Sequence, residues 1–408
     1  MNANKRKIIN DPVLGFITIP SDLLYDLIQH PYFQRLNRIK QLGLTSLVYP
    51  GTQHTRFQHS LGSMHLMDEC LTQLRVKGVE ITEEETEGAL AAILLHDIGH
   101  GPFSHVLEDS IVQDIKHEEL SLMLIQEINT ELNGLLATAI AIFTNTYPKR
   151  FLHQLVSGQL DMDRLDYLVR DSFYSGVVEG SVGADRIIKM LHVANDSLVV
   201  ETKGIYSIEN FLIARRLMYW QVYLHKTALA GERMLVNILT RAKQLTRKGE
   251  SLFASPALTY FLTNRANKAL FESTPEVLKQ FTLLDDADIT CAIKVWVNHP
   301  DLILSTLSEH FINRKLFKVK ISSTQFSEDE ITTVQNKFIN TFSISAEEAS
   351  YFFSYITLTN DTYNEKNDNI KILFNDGSTK DISDVSDILN TKVLAQNVHK
   401  YFLCYMPL

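Results

Sequence analysis

The sequence predicts a mainly α-helical protein with a smaller α+β lobe in its C-terminal part. Apolar residues recur at helical spacing in several segments of the first 310 residues. A helix start signal from Thr82 to Glu85 leads into an apolar stretch that ends at Leu95. After about residue 310, short alternating segments replace this pattern. We therefore predict a helical domain over residues 1–310 and an α+β lobe over residues 311–408.

The individual elements follow from local start, stop and turn signals. Capping residues together with apolar periodicity predict helices over residues 21–28, 31–42, 82–95, 117–195, 209–244 and 327–342. Alternation and turn residues predict a hairpin near residues 196–206 and strands over residues 317–321, 351–359 and 370–374. A hairpin turn is expected from Asn375 to Ser378, and residues 1–20 are expected to be irregular or extended.

Composition limits the class of protein. The chain has 408 residues, of which 45% are hydrophobic and 21% charged, so it can bury a sizeable core. A net charge of −9 argues against broad, non-specific binding to nucleic acid, which requires a cationic surface. Cys70, Cys291 and Cys404 are scattered and fit neither a disulfide framework nor a metal motif. The sequence shows no signal peptide pattern and no membrane-length apolar run, so we expect a cytoplasmic protein.

Histidine and aspartate side chains supply the candidate chemistry. His96 and Asp97 follow the buried helix, His59 lies in an earlier segment, and Asp163 lies in a later acidic one. Two imidazoles and two carboxylates suit a divalent transition metal and leave room for water and substrate oxygens. Such a site indicates hydrolysis of a phosphate ester. One His-Asp pair alone carries little information, because most single buried histidines are hydrogen-bonded core residues.

Each of the further candidate residues could have a purely structural role instead of a functional one. His100 lies one helical turn after His96 and could bind a metal or a phosphate. The acidic run around Asp163 is ordinarily a solvated helix face, but its leucines predict burial, and a buried carboxylate needs a partner such as a metal. His117 ordinarily marks the start of a surface helix. The aromatic stripe that includes Tyr223 is ordinarily a core face.

Taken together, these motifs resemble the HD-domain phosphohydrolases, and within them the deoxynucleoside triphosphate triphosphohydrolases. The resemblance covers roughly the first 240 residues and implies a helical HD core over about residues 50–175. The segments that carry it are Ile8-Ile-Asn-Asp-Pro-Val-Leu-Gly, Phe33-Gln-Arg-Leu, Ile39-Lys-Gln-Leu-Gly, Tyr49-Pro-Gly, Arg56-Phe-Gln-His-Ser-Leu-Gly, His96-Asp-Ile-Gly-His-Gly-Pro-Phe-Ser-His, Asp163-Arg-Leu-Asp-Tyr-Leu-Val-Arg-Asp and Tyr223-Leu-His-Lys. The implied reaction converts a dNTP to a deoxynucleoside and inorganic triphosphate.

The resemblance also implies a role for each matching residue. The implied metal ligands are His59, His96, Asp97 and Asp163. The implied catalytic residues are His117, His105 and Glu108. The implied substrate contacts are Gln41, Arg56, His100, Arg164, Tyr167, Asp171, Arg215, Tyr219 and Tyr223. Three positions depart from a vertebrate member of the family, which has aspartate, lysine and histidine in place of Glu108, Arg164 and Tyr219.

The substrate contacts divide by the part of the nucleotide they would hold. Gln41 and Asp171 match residues that bind the sugar 3′-hydroxyl, and Tyr223 matches the aromatic residue under the deoxyribose, where a 2′-hydroxyl would clash. Where the vertebrate member reads an activating guanine nucleotide with an aspartate and an arginine, this chain has Gln29 and Asn37. Activation by a guanine nucleotide is therefore not predicted, and the identity of any nucleotide activator is left open.

Cofactor and partner expectations follow from the same resemblance. One divalent metal ion is expected, with iron, manganese, zinc, nickel and magnesium all considered, and the two imidazoles favour a transition metal. The expected partners are a dNTP substrate and further copies of the chain in a dimer or tetramer, without a membrane. Two alternatives stay open. One is an HD phosphohydrolase that acts on a nucleoside monophosphate, a cyclic nucleotide or an alarmone, and the other is a non-catalytic nucleotide-sensing scaffold.

Overall fold

The computed structural model describes residues 7–103, 106, 110–360, 369–387 and 398–408. The prediction of a mainly helical protein with a smaller α+β part is confirmed. The α-helices are α1 Asp22–Gln29, α2 Pro31–Gln34, α3 Arg56–Val76, α4 Glu83–Leu95, α5 His117–Glu131, α6 Ala137–Phe143, α7 Arg150–Val156, α8 Met162–Ser175, α9 Ala184–Met190, α10 Ile205–Met218, α11 Lys226–Arg247, α12 Pro256–Thr263, α13 Lys268–Ser273, α14 Pro275–Thr282, α15 Asp286–Trp296, α16 Leu302–Ile312, α17 Glu328–Phe342, α18 Ala346–Ala349 and α19 Ile382–Val385. A π-helical turn, Tyr219–Tyr223, lies between α10 and α11.

The strands in the described ranges form small sheets around this helical body. Their bounds are β1 Ile8–Asp11, β2 Gly15–Thr18, β3 Val112–Gln113, β4 Leu191–Ala194, β5 Ser197–Glu201, β6 Ala266–Asn267, β7 Lys318–Ser322, β8 Phe353–Asn360, β9 Lys371–Leu373, β10 Thr379–Asp381 and β11 Val398–Tyr405. β1 and β2 form an N-terminal hairpin, and β3 pairs with β6. The other two sheets have the strand orders β10-β9-β5-β4 and β7-β11-β8.

The helix α4 is central because it is apolar on nearly all sides. Every residue from Gly88 to Leu95 is buried, and α3 packs against both α4 and α8. The predicted capping box is present: Glu85 N–H donates to Thr82 Oγ1 at 3.1 Å, and Thr82 N–H donates to Glu85 Oε2 at 2.8 Å. This cap determines where α4 begins, and its buried body leads to His96.

The prediction of one continuous helix over residues 31–42 was wrong. α2 gives way to a 3₁₀ turn at Arg35–Arg38, and Ile39 is extended. Lys40 then forms an isolated β-bridge with Thr55. The reason lies elsewhere in the chain: the buried Arg35 guanidinium donates hydrogen bonds to the carbonyl oxygens of Ile98 and His100. These tertiary contacts outweigh the local helical pattern.

The predicted hairpin near residues 196–206 lies earlier in the chain than expected. Its strands are β4 and β5, and the turn residues Asn195 and Asp196 both adopt positive φ. Two consecutive left-handed residues make the two-residue turn that matches strand twist. The predicted run of helices up to residue 195 therefore ends at Met190. The turn at residues 375–378 is confirmed, since Phe374 N–H donates to Ser378 O at 2.9 Å.

The C-terminal part is connected to the helical body through a shared sheet. β9 pairs in parallel with β5, which places Ile372 opposite Val200, and both side chains are buried. The domain boundary at residue 310 stays a prediction. No helix in the described ranges has both the length and the apolar character needed to cross a membrane.

Candidate active site

Three helices bring the predicted metal ligands to one place. His59 lies in the first turn of α3, His96 and Asp97 directly follow α4, and Asp163 is the second residue of α8. Because α3 packs against both of the other helices, residues distant in sequence become neighbours.

The donor atoms of His59, His96 and Asp163 lie within 4.8 Å of one another. The Nε2 atoms of the two histidines lie 3.0 Å and 3.5 Å from Asp163 Oδ1. Both Nε2 atoms are buried, and neither makes a hydrogen bond of acceptable geometry within the described residues. The three side chains therefore converge without satisfying one another.

A hydrogen bond fixes the opposite side of each imidazole ring. His59 Nδ1 lies 2.8 Å from Asp166 Oδ2, and His96 Nδ1 lies 2.6 Å from Ile93 O. Ionised carboxylates and carbonyls only accept hydrogen bonds, so each Nδ1 carries the hydrogen. Each Nε2 then faces the shared space, where the lone pair of the neutral ring could bind a metal, as in metal-binding histidines.

Charge in this cluster suits a cation. Burial by itself would lower the pKa of His59, but Asp163 and Asp166 raise it to about 10. Burial would raise the pKa of Asp163, but the two imidazoles lower it. The carboxylates thus hold negative charge that either protonated imidazoles or a metal ion can balance. A divalent metal fits, because imidazole nitrogen and carboxylate oxygen are its usual ligands in such sites.

Asp97 lies beside the three donors with both carboxylate oxygens engaged. Its Oδ1 lies 3.4 Å from His96 Nε2 and 3.2 Å from His100 Nε2. Its Oδ2 lies 3.8 Å from His59 Nε2 and 2.5 Å from Arg56 Nη1. Burial would raise the pKa of Asp97, but these neighbouring imidazoles and Arg56 lower it well below its ordinary value. Asp97 therefore links the donor cluster to two predicted phosphate contacts.

The predicted catalytic histidine, His117, stacks on His100. Their ring centroids lie 3.8 Å apart, and the rings are inclined by 20°. Burial, followed by the nearby charge of Arg56, lowers the pKa of His100 well below its ordinary value. An uncharged His100 therefore presents a flat face to His117, which is the first residue of α5.

A second polar group surrounds the buried Asp171. His54 Nε2 lies 2.7 Å from Asp171 Oδ1, and Tyr223 OH donates to Asp171 Oδ2 at 2.9 Å. Gln41 N–H donates to His54 O at 3.0 Å, and the buried Gln41 Oε1 has no hydrogen-bond partner within the ranges the structure describes. The structure thus pairs Asp171 with Tyr223, and it connects Gln41 to this polar group through the backbone of His54.

Aromatic rings connect the donor cluster to this polar group. The ring centroid of Tyr167 lies 6.5 Å from that of His59 and 5.9 Å from that of Tyr223. Burial raises the pKa of Tyr167, and the charges of Arg164 and Arg215 oppose that rise. Two of the predicted phosphate-binding arginines therefore lie close enough to influence the tyrosine beside His59.

The π-helical turn supplies two of the predicted substrate contacts. The ring centroids of Tyr219 and Tyr223 lie 5.5 Å apart. Within the same turn, the Trp220 ring lies 3.6 Å from Lys400 Nζ on β11. Single π-helical turns occur frequently at functional sites, where the extra residue redirects side chains.

The sequence assigned no role to some residues of the site. Two of the predicted catalytic residues cannot be placed. His105 and Glu108 lie outside the described residues. His54 gave no signal, because its loop meets Asp171 only in the folded chain. Asp166 and Arg170 lie in the segment from Asp163 to Asp171 that carries the resemblance, but they received no role. Asking what holds the second nitrogen of His59 would have identified Asp166.

Comparison with known proteins agrees with this geometry. The HD domain family matches residues 56–171, and the HD associated region matches residues 182–252. The uncharacterized protein YwfO of Bacillus subtilis is 33% identical over 402 residues, which are 95% of this chain and 89% of YwfO. A crystal structure of a phosphohydrolase from Bacteroides thetaiotaomicron superposes with a TM-score of 0.96 at 59% identity, covering 99% of this chain and 100% of that one.

A more distant relative has a more specific name. The deoxynucleoside triphosphate triphosphohydrolase SAMHD1 homolog of Dictyostelium discoideum is 32% identical over 267 residues. The match covers 60% of this chain and 51% of that protein, so the chain spans about half of it. Family models, full-length relatives and the helical fold around the His and Asp cluster agree. This chain belongs to the HD-domain phosphohydrolase family.

Proposed function

We propose that this protein is a metal-dependent hydrolase that converts a dNTP to a deoxynucleoside and inorganic triphosphate. The observation that supports this most is the arrangement around Tyr167. Its ring centroid lies 6.5 Å from that of His59, one of the metal-type donors, and 5.9 Å from that of Tyr223, whose hydroxyl donates to Asp171. The name of the Dictyostelium relative points to the same substrate class.

The proposed metal ligands are His59, His96, Asp97 and Asp163. Two imidazoles in the set favour iron, manganese, zinc or nickel over magnesium. When bound, the ion supplies Lewis-acid charge neutralisation at the phosphate and lowers the pKa of water. These side chains supply a rigid frame. His59, His96 and Asp97 are each held by a further hydrogen bond, and His59 and Asp97 are also buried.

Cationic and imidazole side chains are proposed to hold the triphosphate. A triphosphate carries about four negative charges, so several donors have to converge on it. Arg56 is held by Asp97 at 2.5 Å, and Arg164 pairs with Asp161. We assign Arg56, Arg164, Arg215 and His100 to this task, with Tyr167 and Tyr219 beside them.

The proposed reaction transfers the α-phosphorus from the sugar oxygen to water. The water oxygen bonds to the α-phosphorus, the bond between that phosphorus and the 5′-oxygen breaks, and the 5′-oxygen gains the proton that the water loses. His117 is proposed to exchange this proton, and its stacking on His100 fixes its ring. Roles for His105 and Glu108 stay predictions.

The sugar is proposed to lie against Tyr223. Gln41 and Asp171 would hold the 3′-hydroxyl, which fits the buried Gln41 Oε1, an atom without a hydrogen-bond partner among the described residues. The Tyr223 ring would leave no room for a 2′-hydroxyl. The enzyme should therefore prefer deoxynucleotides to ribonucleotides. Assembly into dimers or tetramers stays a prediction.

Product analysis tests the proposal directly. Purified, metal-loaded protein is incubated with each dNTP and NTP, alone and in pairs, and the products are identified by mass. We expect a deoxynucleoside and intact triphosphate, and paired nucleotides would reveal an activator. Pyrophosphate or a nucleoside monophosphate as the product would contradict the proposed bond cleavage. Absence of turnover with every nucleotide would favour the scaffold alternative.

Substitution of His117 tests the proposed proton transfer. His117→Ala should lower kcat by about 10²- to 10⁴-fold, which is the usual contribution of general acid–base catalysis. His65→Ala is the matched control, because His65 lies on α3 and its ion pair within the described residues is with Glu69 on the same helix. Its kcat should equal that of the wild type. An unchanged kcat in His117→Ala would remove this residue from the mechanism.

A further inference from the structure

A chain of ion pairs connects His59 to the N-terminal hairpin. Asp166 Oδ2 lies 2.8 Å from His59 Nδ1. Arg170 donates to both oxygens of Asp166, from Nε at 2.8 Å and from Nη2 at 2.9 Å. Arg170 Nη1 donates to Asp11 Oδ2 at 2.7 Å, and Asp11 is the last residue of β1.

The packing around this network leaves little freedom of movement. His59, Asp166 and Arg170 are completely buried, and Asp11 is 8% exposed. Gly62 on α3 lies directly against the pair, where an added Cβ would overlap Asp166 Oδ1 and Arg170 Nη2. A buried charge is expensive unless it is paired, so each member of the network holds the next in position.

We propose that Asp166, Arg170 and Asp11 are positioning residues for the metal centre. Asp166 fixes the hydrogen on His59 Nδ1 and so directs the Nε2 lone pair towards Asp163. Arg170 donates hydrogen bonds to both oxygens of Asp166 and thereby prevents rotation of the carboxylate. Asp11 accepts a hydrogen bond from Nη1, the guanidinium nitrogen of Arg170 that does not bind Asp166. This inference rests on the metal role proposed for His59 and is independent of the nucleotide that the enzyme hydrolyses.

Asp11 allows the network to be tested without dismantling the hairpin. Its Oδ1 accepts hydrogen bonds from the N–H groups of Val13 and Leu14, both at 2.9 Å, whereas Oδ2 contacts Arg170. Asp11→Asn keeps an oxygen for the turn and removes the negative charge opposite Arg170. Any effect on metal binding then has to pass through Arg170 and Asp166.

The experiment measures Mn²⁺ affinity in the full-length protein after removal of metal with a chelator. Free Mn²⁺ is followed by its electron paramagnetic resonance signal during titration. Asp166→Asn should weaken Mn²⁺ binding by about 10- to 100-fold, the usual effect of losing a partner of a metal-bound histidine. Asp11→Asn should weaken it by about 2- to 30-fold, because it acts through two intermediate residues.

A matched control separates positioning from general stability. Asp301 resembles Asp11 in serving both a backbone N–H and an arginine: its Oδ1 accepts from Leu304 N–H at 2.8 Å, and Arg241 donates to Oδ1 from Nε at 3.1 Å and to Oδ2 from Nη2 at 2.5 Å. This pair joins α11 to α16, away from the donor helices α3, α4 and α8. Asp301→Asn should lower the free energy of unfolding as Asp11→Asn does, while leaving Mn²⁺ affinity at the wild-type value.

Each outcome has a defined meaning. Wild-type protein that fails to bind Mn²⁺ would contradict the metal role of His59, and the inference with it. Wild-type affinity in both Asp166→Asn and Asp11→Asn would overturn the network while leaving the metal site intact. Equal weakening in Asp301→Asn would show that lost stability, not positioning, explains the effect. Rescue of affinity in Arg170→Lys relative to Arg170→Met would support the requirement for a cation.

Discussion

At the scale of single residues, a histidine outside the metal donors shapes the proposed sugar site. The buried His54 binds one oxygen of Asp171 while Tyr223 binds the other. The His54 ring also stacks on Tyr174, with centroids 4.4 Å apart. A carboxylate with two fixed donors cannot rotate, so its remaining lone pairs point in a defined direction.

Removal of this donor should affect recognition of the 3′-hydroxyl selectively. His54→Phe preserves the stacking on Tyr174 but releases Asp171 Oδ1. We expect the KM for a dNTP to rise about tenfold, which corresponds to about 1.4 kcal/mol. The KM for the matching 2′,3′-dideoxynucleotide should change little, since it has no hydroxyl to lose. Steady-state kinetics with both nucleotides measures the difference.

The control for this experiment is Tyr174→Phe. It keeps the ring under His54 and removes a hydroxyl that, among the described residues, accepts a long hydrogen bond from Gln58 Nε2 at 3.4 Å. Both KM values should then equal those of the wild type. A similar rise in KM for both nucleotides in His54→Phe would show that His54 supports the pocket in general and not the 3′-hydroxyl.

At the scale of elements, the start of α4 determines the position of His96 and Asp97. Glu85 closes the capping box and also accepts hydrogen bonds from Tyr147 OH at 2.9 Å and Lys149 Nζ at 2.8 Å. Burial would raise the pKa of Glu85, but these donors lower it. One side chain thus connects the first turn of α4 to the segment before α7.

The Glu85 carboxylate should contribute stability that depends on pH. Its pKa is lowered in the folded state, so the contribution is present above the ordinary value of 4.5 and is lost as pH falls through the folded value. Glu85→Gln should lower the free energy of unfolding by about 1–2 kcal/mol at pH 7, from the lost cap and charged hydrogen bonds. Urea denaturation of metal-free protein at pH 7 and at acidic pH measures this difference.

The neighbouring Glu84 offers a matched control. It lies in the same helical turn, in an exposed position, and accepts a hydrogen bond from Thr138 Oγ1 at 2.8 Å. Glu84→Gln should change the free energy of unfolding by less than about 0.5 kcal/mol. A difference between wild type and Glu85→Gln that persisted undiminished below pH 4.5 would contradict the electrostatic explanation.

The elements that could be predicted are those whose signals are local. The start of α4 and the turn at residues 375–378 depend on neighbouring residues, and both were predicted correctly. The break after α2 depends on Arg35 reaching Ile98 and His100, which no local pattern reveals. The strand β4 was missed for a similar reason, because four residues become a strand only through pairing with β5.

The same distinction applies to the candidate site. Sequence motifs could identify His59, His96 and Asp163 as candidates, and the folded helices bring them together. The ion pair of Arg56 with Asp97 could not be predicted. Arg56 was expected to contact phosphate and Asp97 to bind the metal, and neither role implies that the two side chains meet. Side-chain pairing across helices depends on packing geometry, which composition and spacing do not contain.

At the scale of the whole molecule, a metal ion would act as a cross-link. The donors come from α3, from the end of α4 and from α8, which are widely separated along the chain. An ion that binds these donors only in the folded state shifts the folding equilibrium by mass action. Metal occupancy and stability are therefore linked.

Removal of metal should lower the thermal stability of the protein. At a free Mn²⁺ concentration of about 100 times Kd, the ion should add about 2.7 kcal/mol to the free energy of unfolding. Calorimetry with Mn²⁺ and with a chelator measures the difference in Tm. His96→Ala is the control, since its Tm should hardly respond to Mn²⁺. An equal Mn²⁺ response in wild type and His96→Ala would place the bound ion elsewhere.

The parallel pairing of β5 with β9 has a consequence for biosynthesis. Thr202 Oγ1, next to β5, donates to Leu373 O, which is 171 residues further along the chain. On the ribosome, β5 emerges long before β9 exists, and the edge of β5 that faces away from β4 stays open until residue 373 has been translated. Such an edge is a template for pairing with another chain. The nascent protein therefore passes through a prolonged interval in which a chaperone, or a neighbouring nascent copy, can occupy the place of β9.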